Sequence, residues 1–294
     1  MQYNTLCLSG GGIMGLAHIG CLEYLEINKI INLKNINNYI GTSAGSIICF
    51  FISIGYSIQE IKKFIYEFNF EILVPDINID DLFNNYGIDD GNKIKYIFIM
   101  FLKNKFNLSD INFIDLYKLT NNKLSIIGTN YTLKKEELFN YIKTPEMSVI
   151  AALRISMSVP LLFTPYIYNN MYYIDGALFN NFPIKYCNIE TTLGININII
   201  ELNKTNKLNN LFEYILACSK LLLNNFLIYN NNLSHNIIII NCNNTVNMSD
   251  FNIINLEKNN IINNGFEAGL DYINNLKNNI CLSIINDIIE SIAY

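Results

Sequence analysis

The stretch Asn38-Tyr39-Ile40-Gly41-Thr42-Ser43-Ala44-Gly45-Ser46, continued by Ile47-Ile48-Cys49-Phe50-Phe51-Ile52-Ser53-Ile54, decides the fold. Apolar residues lead into a group of small ones, and a second apolar run leads out. The pattern predicts a strand, a sharp turn, and a helix from Ser46 to about Ile54. The turn carries Gly41-x-Ser43-x-Gly45. Small neighbours let the serine take a strained backbone and project its hydroxyl, with the helix N-terminus directed at it. The five residues alone fit an ordinary tight turn equally well; the strand before and helix after them favour a nucleophile.

The same switch occurs once upstream. Tyr3 to Leu8 reads as a strand and ends in Ser9-Gly10-Gly11-Gly12. Leu16, Ile19, Leu22 and Leu25 then keep helical spacing from Gly15 to about Asn28. Consecutive glycines allow close backbone approach and aim several N–H groups one way, as a phosphate cradle or as an oxyanion hole. The nucleotide-binding patterns are not fulfilled, since position 16 is Leu and no Lys follows. Beside a serine turn, the oxyanion reading is preferred.

Downstream, helices are expected near 57–69, 92–105 and 112–119, the last capped by Ser109 or Asp110. A buried strand covers Leu124 to Gly128, and Thr144-Pro145-Glu146 opens a helix to about Ser156. Asn169-Asn170 suits a hairpin turn, and Asp175-Gly176-Ala177 follows it. Strands at 193–202 and 236–242 alternate with helices near 208–229 and 261–279. Alternation of this kind implies an α/β sandwich with a mainly parallel sheet. With neither internal repeat nor linker, residues 1–294 are expected to form one domain. An Asp before Gly is usually a turn residue, yet Asp175 is also a candidate general base for Ser43.

Composition narrows the function. Only 15% of the 294 residues are charged and 51% are hydrophobic, against about 25% charged in ordinary domains. The net charge of -5, with scattered lysines, argues against nucleic acid as a partner. Asn and Ile make up roughly a third of the chain, which carries a single Arg, Arg154. Most Asn runs are therefore expected to be loop filler. Seven scattered cysteines without a C-x-x-C pair point to reduced, inert thiols inside a cell, with no metal site. The N-terminus lacks a signal peptide's basic region and no run suits a spanning helix, so the expected location is cytoplasmic or peripheral at membranes. The apolar segment Leu211 to Tyr229 reads as a core helix rather than an interfacial one.

Four blocks in order resemble the patatin-like phospholipases: Gly10-Gly11-Gly12-Ile13-Met14-Gly15, Gly41-Thr42-Ser43-Ala44-Gly45, Ser156-Met157-Ser158-Val159-Pro160 and Asp175-Gly176-Ala177. The similarity runs from about residue 3 to about 280. It implies a three-layer α/β/α sandwich, a Ser43–Asp175 dyad without histidine, and an oxyanion loop at Gly10, Gly11 and Gly12. It also implies acyl-ester hydrolysis of phospholipids at a membrane surface, with no cofactor and with any activating protein left open. Two residues depart from the family pattern: Met14 stands for a basic residue, and Ile155 for the Ala of the third block. Arg154, just before that block, is read either as a helix-end surface charge or as a support for the active-site loops or lipid headgroup. On the second reading, Arg154→Lys alters activity more than folding.

Two other functions compete. An α/β-hydrolase triad would run Ser43, Asp175, His235, but the serine turn falls on only the second strand, and His235 reads as a strand-end residue. His18 reads as a packing or capping residue. A non-catalytic lipid-binding relative would explain Met14, but not the joint retention of Ser43, Asp175 and three glycines. Residues 70–108 are the candidate lid.

Overall fold

The computed structural model describes residues 3–73, 79–200, 236–243 and 253–292. Strand β1 (Thr5–Leu8) leads through a 3-10 turn, Gly12–Gly15, into helix α1 (Leu16–Ile27); β2 (Asn38–Thr42) leads into α2 (Ala44–Ser53). Then come α3 (Ile58–Glu67), α4 (Ile79–Asn85), β3 (Gly87–Asp89), α5 (Asn92–Phe106) and α6 (Phe113–Thr120). A meander follows: β4 (Lys123–Asn130), β5 (Lys135–Asn140), α7 (Val149–Ser156), β6 (Leu161–Phe163), β7 (Tyr166–Tyr168) and β8 (Met171–Asp175). The chain continues with α8 (Ala177–Asn180), β9 (Thr192–Ile200), β10 (Ile237–Asn243) and α9 (Asn255–Ile292).

The main sheet runs β10-β9-β1-β2-β4-β8-β7, with β5 on the other edge of β4. The five strands from β10 to β4 are mutually parallel, while β5, β7 and β8 are antiparallel additions. Helices flank this sheet, as expected for the α/β sandwich. Strands β3 and β6 form a separate pair.

One feature of β4 positions the site. Its Lys123–Ile127 segment pairs with β2, and its next residues, Gly128 to Asn130, pair with β8. Because β5 occupies the opposite edge, β2 and β8 share a single edge of β4 and meet head to head. Thr42 faces Ile127 and Asp175 faces Gly128. The carboxyl ends of β2 and β8 are thereby brought together by two consecutive residues of β4.

The local elements follow from their sequences. Ser57 and Glu60 form a reciprocal capping box on α3, whose Ile58, Ile61 and Ile65 make the buried stripe. Asn169 and Asn170 both take positive φ, 48° and 59°, as the β7–β8 turn requires. The α6 cap is Asn112, rather than Ser109 or Asp110, and α7 starts at Val149 with Ser148 as cap. Residues 92–106 of the candidate lid segment form α5, whose Phe98 and Phe101 pack with Phe50 and Phe51 of α2, Phe51 stacking on Phe101 at 4.2 Å. Cys7, Cys21, Cys49 and Cys242 are buried free thiols and Cys187 is half-buried. The expected helix near 208–229, Cys218 and His235 lie outside the described residues.

Candidate active site

Ser43 is the residue between β2 and α2, with φ 48° and ψ −124°. A side chain held there costs roughly 1–3 kcal/mol, which the surrounding structure must over-determine. Gly45 is one reason the turn can be so tight. A Cβ at that position would lie 2.5 Å from the carbonyl oxygens of both Leu8 and Ser9, at the end of β1.

The Ser43 hydroxyl donates to Asp175 Oδ2 at 2.8 Å, between two buried residues 132 positions apart in the chain. Asp175 Oδ1 accepts the Ala177 N–H at 2.8 Å. Burial pushes the Asp175 carboxyl up to about 7, and the hydrogen bonds from Ala177 and Ser43 hold it back from rising further. A carboxyl in that range exchanges a proton with a hydroxyl-bearing substrate site near neutral pH.

The end of α7 and the residues just after it clamp both residues. Ser156 Oγ accepts the Ser43 N–H at 2.8 Å. The Ser156 carbonyl accepts from Gly176 and the Ser158 carbonyl accepts the Asp175 N–H, at 3.3 and 2.8 Å. These roles were not assigned from sequence, although the block Ser156–Pro160 was singled out.

The glycine loop lies alongside. Leu8 is in register with Gly41, which sets Gly10 beside Ser43; a Cβ on Gly10 would be 3.2 Å from that of Ser43. The Gly10 N–H is not free, because it donates to the Asn181 carbonyl at 3.1 Å. The N–H groups of Gly11, Gly12 and Ile13 find no acceptor among the described residues. Asn181 carried no sequence signal, being one of many Asn in a biased chain.

His18 supports this loop from α1, its Nε2 bonding the Ser9 carbonyl at 2.9 Å. Burial lowers the imidazole to about 4, opposed by that hydrogen bond. The ring is therefore neutral, with Nε2–H as donor and Nδ1 buried without a partner among the described residues. Met14 is fully buried in the core, so the position that carries a basic residue in the resembled pattern contributes packing here.

Arg154 is not a surface charge. It is almost completely buried, with Nε donating to the Asp90 carbonyl at 3.0 Å and Nη2 to the Thr164 carbonyl at 2.9 Å. Nη1 donates to Ser158 Oγ, and the guanidinium lies 5.1 Å from the Phe163 ring centroid. Burial lowers it to about 10, while Asp89 and Asp90 act in the opposite sense. Arg154 thus fastens the β3–α5 loop and residues 158–164 to α7, two residues before the Ser43 clamp at Ser156.

The sequence model described as Patatin-like phospholipase matches residues 6–187, a span containing the glycine loop, Ser43, the 156–160 segment and Asp175. The chain belongs to the patatin-like phospholipase family. Among its relatives, "Probable lipid hydrolase 463L" of Invertebrate iridescent virus 6 is 37% identical over 187 residues, so the chain covers 62% of that relative's length and the match 62% of this chain. Two solved structures share the fold. VipD from Legionella pneumophila superposes with a TM-score of 0.69 at 16% identity, covering 94% of this chain and 67% of VipD. ExoU from Pseudomonas aeruginosa, in complex with SpcU, gives 0.54 at 15% identity, covering 93% of this chain and 52% of that one. The patatin-like family and a probable lipid hydrolase among the relatives make this chain a lipid-hydrolase homologue. Among the described residues no helix is long and apolar enough to cross a membrane.

Proposed function

We propose that the protein is a phospholipase A-type serine acyl hydrolase in which Ser43 is the nucleophile and Asp175 the general base. The observation that carries this reading is the 2.8 Å hydrogen bond between the Ser43 hydroxyl, on a strained turn, and a buried carboxylate with a raised pKa. Ser43 Oγ attacks the ester carbonyl carbon while its proton passes to Asp175 Oδ2. The carbonyl oxygen becomes an oxyanion stabilised by the N–H groups of Gly11 and Gly12, which have no acceptor among the described residues. Collapse breaks the ester C–O bond, and the departing lysophospholipid oxygen takes the proton from Asp175. Water then attacks the acyl-enzyme, Asp175 accepts its proton, and the returning proton restores Ser43 as fatty acid leaves. Gly10, assigned to the same loop from sequence, serves in this reading as the spacer that lets the loop lie against Ser43.

Release of fatty acid from mixed phospholipid vesicles tests the reading. Release by the intact protein, abolished in Ser43→Ala, is expected, and the lysolipid formed identifies which ester is cut. A folded intact protein that releases no more than Ser43→Ala would overturn it and favour a lipid-binding role without turnover.

A further inference from the structure

The carboxyl edge of the sheet carries two hairpin turns that the proposed chemistry leaves unused. Strand β4 is parallel to β2, so its turn into β5 projects beyond the end where Ser43 sits. Strand β8 is antiparallel to β4, so its start, and the Asn169-Asn170 turn from β7, project from that edge too. The two turns are tied together: the Tyr131 N–H donates to the Tyr172 carbonyl, and the Tyr172 N–H to Thr132 Oγ1, both at 2.9 Å.

Beside the exposed polar Thr132, Asn169 and Asn170, the turns and the strand ends next to them carry exposed aliphatic and tyrosyl side chains. Tyr131 is 62% exposed, Leu133 49%, Ile167 60% and Tyr172 43%. Ile167 and Tyr172 are direct cross-strand partners and therefore share one face. Lys134, beside Leu133, is exposed and has no acidic partner among the described residues. The neighbouring carboxylates are engaged: Glu136 with Lys185, and Glu137 with Lys135 at 3.4 Å and the Tyr173 hydroxyl at 2.7 Å. The projection therefore offers aliphatic, tyrosyl and uncharged polar groups and one uncompensated ammonium, with no unpaired carboxylate among the described residues to repel lipid phosphate.

We infer that these two turns are the surface on which the protein seats itself on a phospholipid bilayer. Leu133 enters the acyl boundary, Ile167 lies with its level partners Tyr131 and Tyr172 at the rim of that boundary, and Lys134, Asn169 and Asn170 meet headgroup and phosphate. The dimensions agree. Tyr131 is three residues beyond Gly128, the partner of Asp175, and at about 3.3 Å per residue this is ~10 Å. Interfacial elements bury about 5–10 Å into the boundary, so turns seated to that depth bring Ser43 and Asp175 to the level of the ester bonds. Few apolar groups on two narrow turns suit insertion into lipid better than the ~1,200–2,000 Å² of matched surface that a stable protein interface needs. With Lys134 alone in these turns lacking an acidic partner among the described residues, apolar insertion dominates, and zwitterionic lipid suffices.

The inference rests on the lipid-ester reading for the orientation of the molecule, but binding can be measured without turnover. In a Ser43→Ala background, the full-length chain is sedimented with phosphatidylcholine vesicles, with and without phosphatidylserine. The parent is expected to pellet with both, and Leu133→Asp/Ile167→Asp to lose at least about tenfold in partition with its thermal transition unchanged. Where the double substitution shifts that transition, Ile167→Ser alone serves, with a smaller loss in the same direction. With Ser43 restored, vesicle hydrolysis falls in parallel while turnover of a soluble short-chain ester stays within about twofold. A parent that does not pellet, or equal partition of parent and variant, overturns the inference. So does a dimer formed through edge strand β7 that the variant abolishes while vesicle binding persists. If the intact protein turns over neither substrate, the enzymatic reading fails, and partition still decides this one.

Discussion

Ser43 and Asp175 are held in states that cost stability. Raising the native pKa of a carboxyl means that the folded chain keeps a proton that the unfolded chain releases above about pH 4. The contribution of Asp175 therefore favours folding most at low pH and is lost as pH rises toward 7. Asp175→Asn should accordingly stabilise the protein by about 2–4 kcal/mol at pH 8 and by less at pH 5, read from urea unfolding. The same substitution, like Ser43→Ala, should lower soluble-ester turnover by about 10³-fold or more. Turnover of the intact protein should rise with pH through a limb near pH 7 as Asp175 ionises; a flat profile between pH 6 and 8 would contradict the assignment of the base. His18 acts in the opposite sense, since its lowered pKa stabilises the fold above pH 6.5 and that stability is lost as pH falls toward 4.

At the scale of elements, the segment from α7 to β8 orders the site. Ser156 and Ser158 tie the backbones of Ser43, Asp175 and Gly176 to one short stretch, and Arg154 anchors that stretch to the β3–α5 loop. Lys would keep the charge at position 154 but cannot serve the three directions of the guanidinium fork. The buried position changes the expectation formed from sequence: Arg154→Lys should lower the thermal transition by several °C as well as activity, a loss of about 2–4 kcal/mol. An unchanged transition with reduced turnover would instead return Arg154 to direct contact with substrate. The Arg was conspicuous in a chain without another, but its burial could not be read from a helix-end position. The strand β5, Lys135-Glu136-Glu137-Leu138-Phe139-Asn140, was also missed, because its charged start lacks strand propensity and only pairing with β4 makes it a strand.

For the molecule as a whole, the first and last described helices pack backbone to backbone. A Cβ on Gly20 of α1 would sit 1.9 Å from the Ile262 carbonyl oxygen of α9, and one on Gly265 would sit 1.9 Å from that of Ala17. Gly20→Ala and Gly265→Ala should each force the helices apart and cost about 1–3 kcal/mol, lowering the urea midpoint. Equal midpoints would show that this contact can relax freely. From sequence, α9 was expected only over 261–279, where Ile261, Ile262, Tyr272 and Ile273 make the buried pattern. The helix itself runs from Asn255 to Ile292. Its Asn-rich start is a poor intrinsic helix former, and contact with α1, together with the Glu257 carboxylate accepting the Ile254 N–H at 3.0 Å, supports it there.

The sequence by itself determined the alternating α/β class, the two strand–turn–helix switches and the identity of the residues at them. Those are local matters: small residues where backbone must turn tightly, apolar periodicity where a face must be buried. It also marked Asp175, without deciding whether that residue was more than a turn. Only the tertiary structure shows where its carboxylate lies, because β2 and β8 end against consecutive residues of β4 and so set it beside a hydroxyl 132 residues away. The same is true of the burial of Arg154, the capture of the Gly10 N–H by Asn181, and the pairing of two exposed turns on one sheet edge. Each depends on which distant segments share an edge, and strand pairing across such separations leaves no periodic trace in the chain.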